Sequence, residues 1–134
     1  MAVYFADSWF FIALLDDADT DHRQVVRLAQ RISRDDIVTH DAIFTEVLAF
    51  FSRAGARVRR DAADLVRRTM QQSQVNSVDR VLFFRALDRY ESRFDKEYSH
   101  VDCMSMIVME DYGIQHVLTN DHHFTQAGLT VVNQ

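Results

Sequence analysis

Four carboxylates stand where their spacing could let them do chemistry together: Asp7, Glu46, Asp102 and Asp121. Asp7 follows the apolar run Val3-Tyr4-Phe5-Ala6, and Asp121 comes one residue after His116-Val117-Leu118-Thr119. Both runs read as short buried strands. In open parallel sheets, ligands collect outside the carboxyl ends of the strands, where these two acids would lie. Carboxylates packed together repel one another unless a cation neutralises them. Hard divalent cations such as Mg²⁺ and Mn²⁺ want such oxygen ligands. A cation so held can activate water and stabilise the charge that develops on a phosphodiester. Neither a Ser-His-Asp arrangement nor a covalent intermediate is needed.

Each acid also has a structural explanation. Asp7 and Asp121 sit at strand-to-helix junctions, where Asp is a favoured N-cap. Glu46 is a good helix former on a helix that could face solvent. Asp102 lies in the first turn of its helix, where the dipole favours an acid. It is nonetheless surrounded in sequence by Val101, Cys103, Met104, Met106, Ile107 and Val108, and an unpaired carboxylate buried among them would be costly. Convergence of all four favours the chemical reading over four separate caps.

The elements that must position these acids can be read from periodicity and punctuation. Asp7-Ser8 opens a helix through Leu15. Thr20 or Asp21 caps a second helix to about Ser33, with Val25, Val26, Leu28, Ala29 and Ile32 on one face. Ile37-Val38-Thr39 is a brief strand, and a helix from Asp41 to Ala54 carries Glu46, with Gly55 ending it. A helix spans about Val58 to Gln72, a weak strand Val75 to Val78, and a helix Asp79 to Ser92. Ser99 caps a helix through Asp111 that Gly113 stops, then come the His116–Thr119 strand, a short turn or helix to Gln126, and a last strand at Thr130-Val131-Val132. Short apolar strands alternating with helices predict a three-layer α/β/α sandwich around a parallel sheet of four or five strands.

The chain has 134 residues, 48% hydrophobic and 26% charged, which suits a single domain over residues 1–134 with an ordinary soluble composition. No apolar run approaches the ~18 residues of a membrane span. The N-terminal stretch is interrupted by Asp7 and lacks a basic segment, so a cytoplasmic protein without a signal peptide is expected. Cys103 is the only cysteine; it excludes an intrachain disulfide and is expected as a buried, inert thiol. The net charge of -5 argues against a general RNA-coating role, though not against a nuclease whose acids bind cations. Fourteen Arg stand against one Lys, Lys96. Arg53, Arg57 and Arg60, with Arg59, Arg67 and Arg68 nearby, could hold an RNA backbone or could form a solvated face paired with Asp61 and Asp64. Arg85, Arg89 and Arg93 form a second row, expected to pair with Asp88 and Glu91.

Three stretches together resemble the PIN-domain family. VYFADSWFFIALLD looks like its first motif: an apolar strand, Asp, a small hydroxyl residue and an apolar helix. HDAIFTEVLAFFSR resembles the second. YSHVDCMSMIVMEDYGIQHVLTNDHHF resembles the third and fourth read together. The resemblance covers nearly the whole chain in order. It implies that Asp7, Glu46, Asp102 and Asp121 form an acidic quartet for Mg²⁺ or Mn²⁺, with Ser8 and Asn120 beside the substrate. The chain's length is similar to the toxin ribonucleases of bacterial and archaeal VapBC pairs. This implies hydrolysis of single-stranded transfer, ribosomal or messenger RNA, a small antitoxin as partner, and a homodimer. Two positions depart from the family pattern: Cys103, where a small residue such as Ala is usual, and His122-His123 after Asp121. Adjacent histidines lack the i, i+4 spacing of a helix-borne zinc pair, so they leave open how a metal edge is completed there. His40, His100 and His116 are expected in surface or capping contacts. In Trp9-Phe10-Phe11, either all three rings pack inward on different sides or part of the run meets a partner.

A catalytically inactive PIN-fold module, serving as an RNA-binding or protein-interaction scaffold, is the alternative; the presence of all four acids argues for activity. Phosphoryl transfer on another α/β fold fares worse. A haloacid-dehalogenase-type enzyme needs an acid where Trp9 stands, and a receiver domain needs a late Lys after a strand, whereas Lys96 precedes the Ser99 helix.

Overall fold

Phe5 and Ala6 are wholly buried, as residues of a strand covered on both faces must be. Their strand, β1 (Tyr4–Ala6), is the middle of a five-stranded sheet in which every pairing is parallel. The computed structural model describes residues 2–134. After β1 come α1 (Ser8–Leu15), α2 (His22–Gln30), a 3₁₀ turn (Arg34–Asp36), β2 (Ile37–His40), α3 (Asp41–Phe50), α4 (Ala56–Gln72) and β3 (Gln74–Asn76). The second half holds α5 (Arg80–Ser92), α6 (His100–Tyr112), β4 (His116–Leu118), α7 (His123–Gln126) and β5 (Thr130–Val132). The strand order is β3-β2-β1-β4-β5. Helices α1 to α4 contact one another, and α5 packs along α6, giving the expected α/β/α sandwich. Among the described residues, no helix is long and apolar enough to cross a membrane.

Local sequence explains the helix that matters most. Ser99 Oγ accepts from the Asp102 amide at 3.0 Å, and Asp102 Oδ2 accepts from the Ser99 amide at 3.1 Å, a reciprocal capping box. Residues 103–109 of α6 are all buried, including the Cys103 thiol. Gly113, at φ 67°, takes the left-handed conformation that closes the helix.

Several details differ from expectation. α3 ends at Phe50 rather than Ala54; residues 51–54 form turns before Gly55. Asp21 makes no side-chain cap to α2 because its carboxylate accepts from Trp9 Nε1 at 3.0 Å. Phe10 and Phe11 are wholly buried, so the aromatic run is core on two of its three sides. Arg85 and Arg89 do not pair along their own helix. They reach across to Asp111 and Glu110 of α6, with two hydrogen bonds each at 2.7 to 3.1 Å. Partners on a packed neighbouring helix are in reach of the guanidinium fork, which grips both carboxylate oxygens at once.

Candidate metal centre

The strand order turns at β1. The chain runs from β1 outward through β2 and β3, then returns to place β4 on the other side of β1. Such a switch point opens a crevice at the carboxyl ends of the two strands. The register pairs Ala6 with Leu118, so Asp7 and Thr119 are the next residues out of each strand and stand side by side. The Asp7 amide donates to the Leu118 carbonyl at 3.2 Å.

Thr119 is wholly buried and joins two of the acids. Its hydroxyl donates to Asp7 Oδ2 at 2.8 Å and accepts from the Asp121 amide at 3.1 Å. Asp121 Oδ1 in turn accepts from the His123 amide at 2.9 Å, a local turn that Asp favours. Asp102 projects from the first turn of α6; its Oδ2 is held by the cap, which leaves Oδ1 free. Glu46, one helical turn into α3, is half-buried beside the Ser8 hydroxyl. One oxygen of Asp102, one of Asp121 and a ring nitrogen of His123 lie within 4.8 Å of one another.

The electrostatics show that these groups share one environment. Asp7 is 7% exposed, and its pKa is pushed up to about 7 by burial; the Thr119 hydroxyl and the Ser8 backbone pull it down, while Asp102 and Glu46 push it up. Burial also raises Glu46, with the Ser8 hydroxyl opposing and Asp102 adding. Asp102 is raised by burial, lowered by the Ser99 backbone, and raised again by Asp121. Among the described residues no Lys or Arg acts on any of the three, and the His123 ring pulls Asp102 down. Within this cluster Asp102, Asp121 and His123 offer ligand atoms close together, and such partly buried oxygen and imidazole donors fit a divalent metal ion.

The fold therefore brings together Asp7, Glu46, Asp102 and Asp121, with Ser8 beside Glu46. Asn120 is adjacent in sequence and exposed. Arg53, Arg57 and Arg60 are exposed around the start of α4, and among the described residues none of them forms an ion pair. Sequence reasoning missed Thr119, which looks like any β-branched strand residue until the register places it between two acids. It also undervalued His123, whose partner is Asp121 two residues back rather than His122. His40, expected in a surface or capping contact, is wholly buried. Ser105 Oγ donates to the Val101 carbonyl, so His40 Nε2 donates to Ser105 Oγ, at 2.9 Å. Burial holds the His40 pKa down to about 4, against a weak upward pull from Asp41. This neutral ring ties the end of β2, which leads into the Glu46 helix, to α6 one turn beyond Asp102.

Comparison with known proteins is consistent with this geometry. The family model described as PIN domain matches residues 4–129. The crystal structure of Mycobacterium tuberculosis VapC20, called a sarcin-ricin loop cleaving toxin, superimposes with a TM-score of 0.87 at 28% identity, covering 98% of this chain and 99% of that one. FitAcB from Neisseria gonorrhoeae gives 0.73 at 13% identity, over 98% and 97% of the two chains. DNA-bound VapBC from Salmonella typhimurium gives 0.64 at 14%, over 98% of each. At those identities the last two show a shared fold. No curated protein sequence matches the chain.

Proposed function

Because the chain belongs to the PIN domain family, we propose that residues 1–134 form one metal-dependent endoribonuclease domain, the toxin of a type II toxin–antitoxin pair. The observation that carries this reading is the cluster at the β1–β4 switch point, where Asp7, Glu46, Asp102 and Asp121 act on one another and, among the described residues, no Lys or Arg acts on Asp7, Glu46 or Asp102. Crowded carboxylates without a counter-charge weaken a fold unless something compensates. A resident cation is that compensation, and Mg²⁺ or Mn²⁺ is the class the oxygen donors suit.

The four acids would hold the cation. When bound, it would supply a nucleophilic water at neutral pH and stabilise charge on the phosphodiester. This chain's residues do the rest. The cap from Ser99 fixes the orientation of Asp102, the Ser8 hydroxyl that of Glu46, and the Thr119 hydroxyl that of Asp7 while also anchoring the turn to Asp121. Arg53, Arg57 and Arg60 would take RNA phosphates as unpaired guanidiniums, and Ser8 and Asn120 would flank the substrate.

RNA as substrate is supported by the 28% identity to VapC20, so a sarcin–ricin loop oligonucleotide is the first to try. An RNA substrate puts the protein's work in the cytoplasm. A small antitoxin and a second copy of the chain are its proposed partners. Phe83, Phe84, Leu87 and Tyr90 of α5 remain 39 to 52% exposed, an apolar row of the kind a protein partner covers.

Incubating RNA with purified protein and Mn²⁺ or Mg²⁺ tests the reading. Cleavage should require the cation, stop with EDTA, and vanish in Asp102→Asn. Equal cleavage by that variant, or cleavage in EDTA, would overturn it; RNA left intact at every cation level would favour the inactive scaffold.

A further inference from the structure

The trio of Asp102, Asp121 and His123 is not built from oxygen alone. Two carboxylate oxygens and an imidazole nitrogen lie within 4.8 Å of one another. Ligand atoms about 2.1 Å from one ion can be up to about 4.2 Å apart, so closure on the order of an ångström would seat all three. His123 is held toward this edge from several sides. Its Nδ1 is 3.1 Å from Asp121 Oδ1, and its amide donates to that same oxygen at 2.9 Å. Its ring stands edge-on to Tyr98 with centroids 5.9 Å apart, and its side chain is 19% exposed. A solvated histidine making an ordinary surface contact would have none of these constraints. His122, its neighbour, is exposed and is not one of the three.

We propose that His123 is a direct ligand of the cation held by Asp102 and Asp121, making this a mixed nitrogen–oxygen site that prefers a first-row transition-metal ion to Mg²⁺. This rests on the metal-dependent reading above and goes beyond it in assigning a fifth residue and a metal preference. The chemistry is that of ligand softness. Mg²⁺ is bound through oxygen and gives up its waters reluctantly, whereas imidazole suits the first-row transition metals, whose affinity rises from Mn²⁺ onward. One imidazole among the carboxylates tilts the choice without excluding Mg²⁺. It also completes the edge that carboxylates alone leave open after Asp121.

The test uses Mn²⁺ itself as the probe, on the full chain. Pulsed electron paramagnetic resonance of the Mn²⁺-loaded protein should show imidazole ¹⁴N modulation. That modulation should persist in His122→Ala and disappear in His123→Ala, with circular dichroism showing that both variants fold. In titrations, His123→Ala should weaken Mn²⁺ by at least about tenfold, the lower end of what losing even an outer-shell partner costs, and should narrow the preference for Mn²⁺ over Mg²⁺. Should His123→Ala fail to fold, His123→Gln replaces it, with the same expected loss of ¹⁴N modulation. Mn²⁺ bound without ¹⁴N modulation, or with modulation unchanged in the His123 variant, would overturn the role of His123 and leave the carboxylate site standing. No Mn²⁺ binding at all would remove both.

Discussion

The two ends of α6 treat the same kind of side chain in opposite ways. At its C-terminal end, Glu110 and Asp111 each meet an arginine fork from α5, with charge pairs at 2.8 and 2.7 Å. The Arg85 guanidinium holds the Asp111 carboxyl below its ordinary range. At its N-terminal end, Asp102 is half-buried among Asp7, Glu46 and Asp121, and its pKa is raised. A helix that needed acids only for structure would be expected to supply each with a partner, as α6 does in its last turn. In the first turn Asp102 is capped by Ser99 but, among the described residues, meets no arginine, and the proposed cation would bring the charge there. Charge pairing, more than the presence of an acid, separates the two ends of α6.

The largest effect should come from removing the acid that meets no arginine. Asp102→Asn keeps the size and one oxygen for the cap, yet should reduce RNA cleavage on the order of 10⁴-fold, as when one member of a catalytic unit is lost. Its far-UV spectrum should be unchanged, because the Ser99 hydroxyl cap remains. A variant that cleaves within a few-fold of wild type would erase the difference between the two ends.

The next effect is in pH. The folded pKa of Asp7 is pushed up to about 7, against about 3.9 in an unfolded chain. Below pH ~4 both states carry the proton and there is no penalty. As pH rises toward ~7 the unfolded state releases its proton and the folded state resists, so metal-free stability falls across that window and levels off above it. The loss is at most on the order of 4 kcal/mol. Urea unfolding in EDTA between pH 4.5 and 8 reads it. Asp7→Asn should flatten the slope, and saturating Mn²⁺ should do the same in the wild type. A metal-free protein that gains stability over this range would contradict the assignment.

Thr119→Val should cost roughly 1–3 kcal/mol of stability by leaving the Asp121 amide and an Asp7 oxygen without their buried partner, and should lower kcat more than it raises KM. Asp111→Asn should do least. Its pair with Arg85 is at the surface and screened by salt, so cleavage and Mn²⁺ affinity should match the wild type. A drop in either would mean that the two ends of α6 are coupled.

How much of this was legible from sequence follows the range of the interactions. The strands and helices could be read because apolar period, the Ser99 cap and Gly113 are local signals. The four acids could be named because three sit at element boundaries or in a first turn, and because their motifs resemble the PIN-domain pattern. Thr119 could not be singled out: its role exists only when β1 and β4 align in register, a contact between positions 112 residues apart. The arginine partners on α5 were misassigned for the same reason, since Asp88 and Glu91 are near in sequence but Asp111 and Glu110 face them in space. His40 reads as a polar residue beside a helix start, and only the packing of α6 across β2 buries it.

Calorimetric titration of the metal-free protein with Mn²⁺ near pH 7 addresses the acid cluster most directly. Saturable binding should be seen for the wild type and for Asp111→Asn, with a raised unfolding midpoint in both, and should be lost in the Asp7→Asn/Asp102→Asn double variant. No binding by the wild type, or equal binding by the double variant, would mean that these carboxylates do not hold a cation.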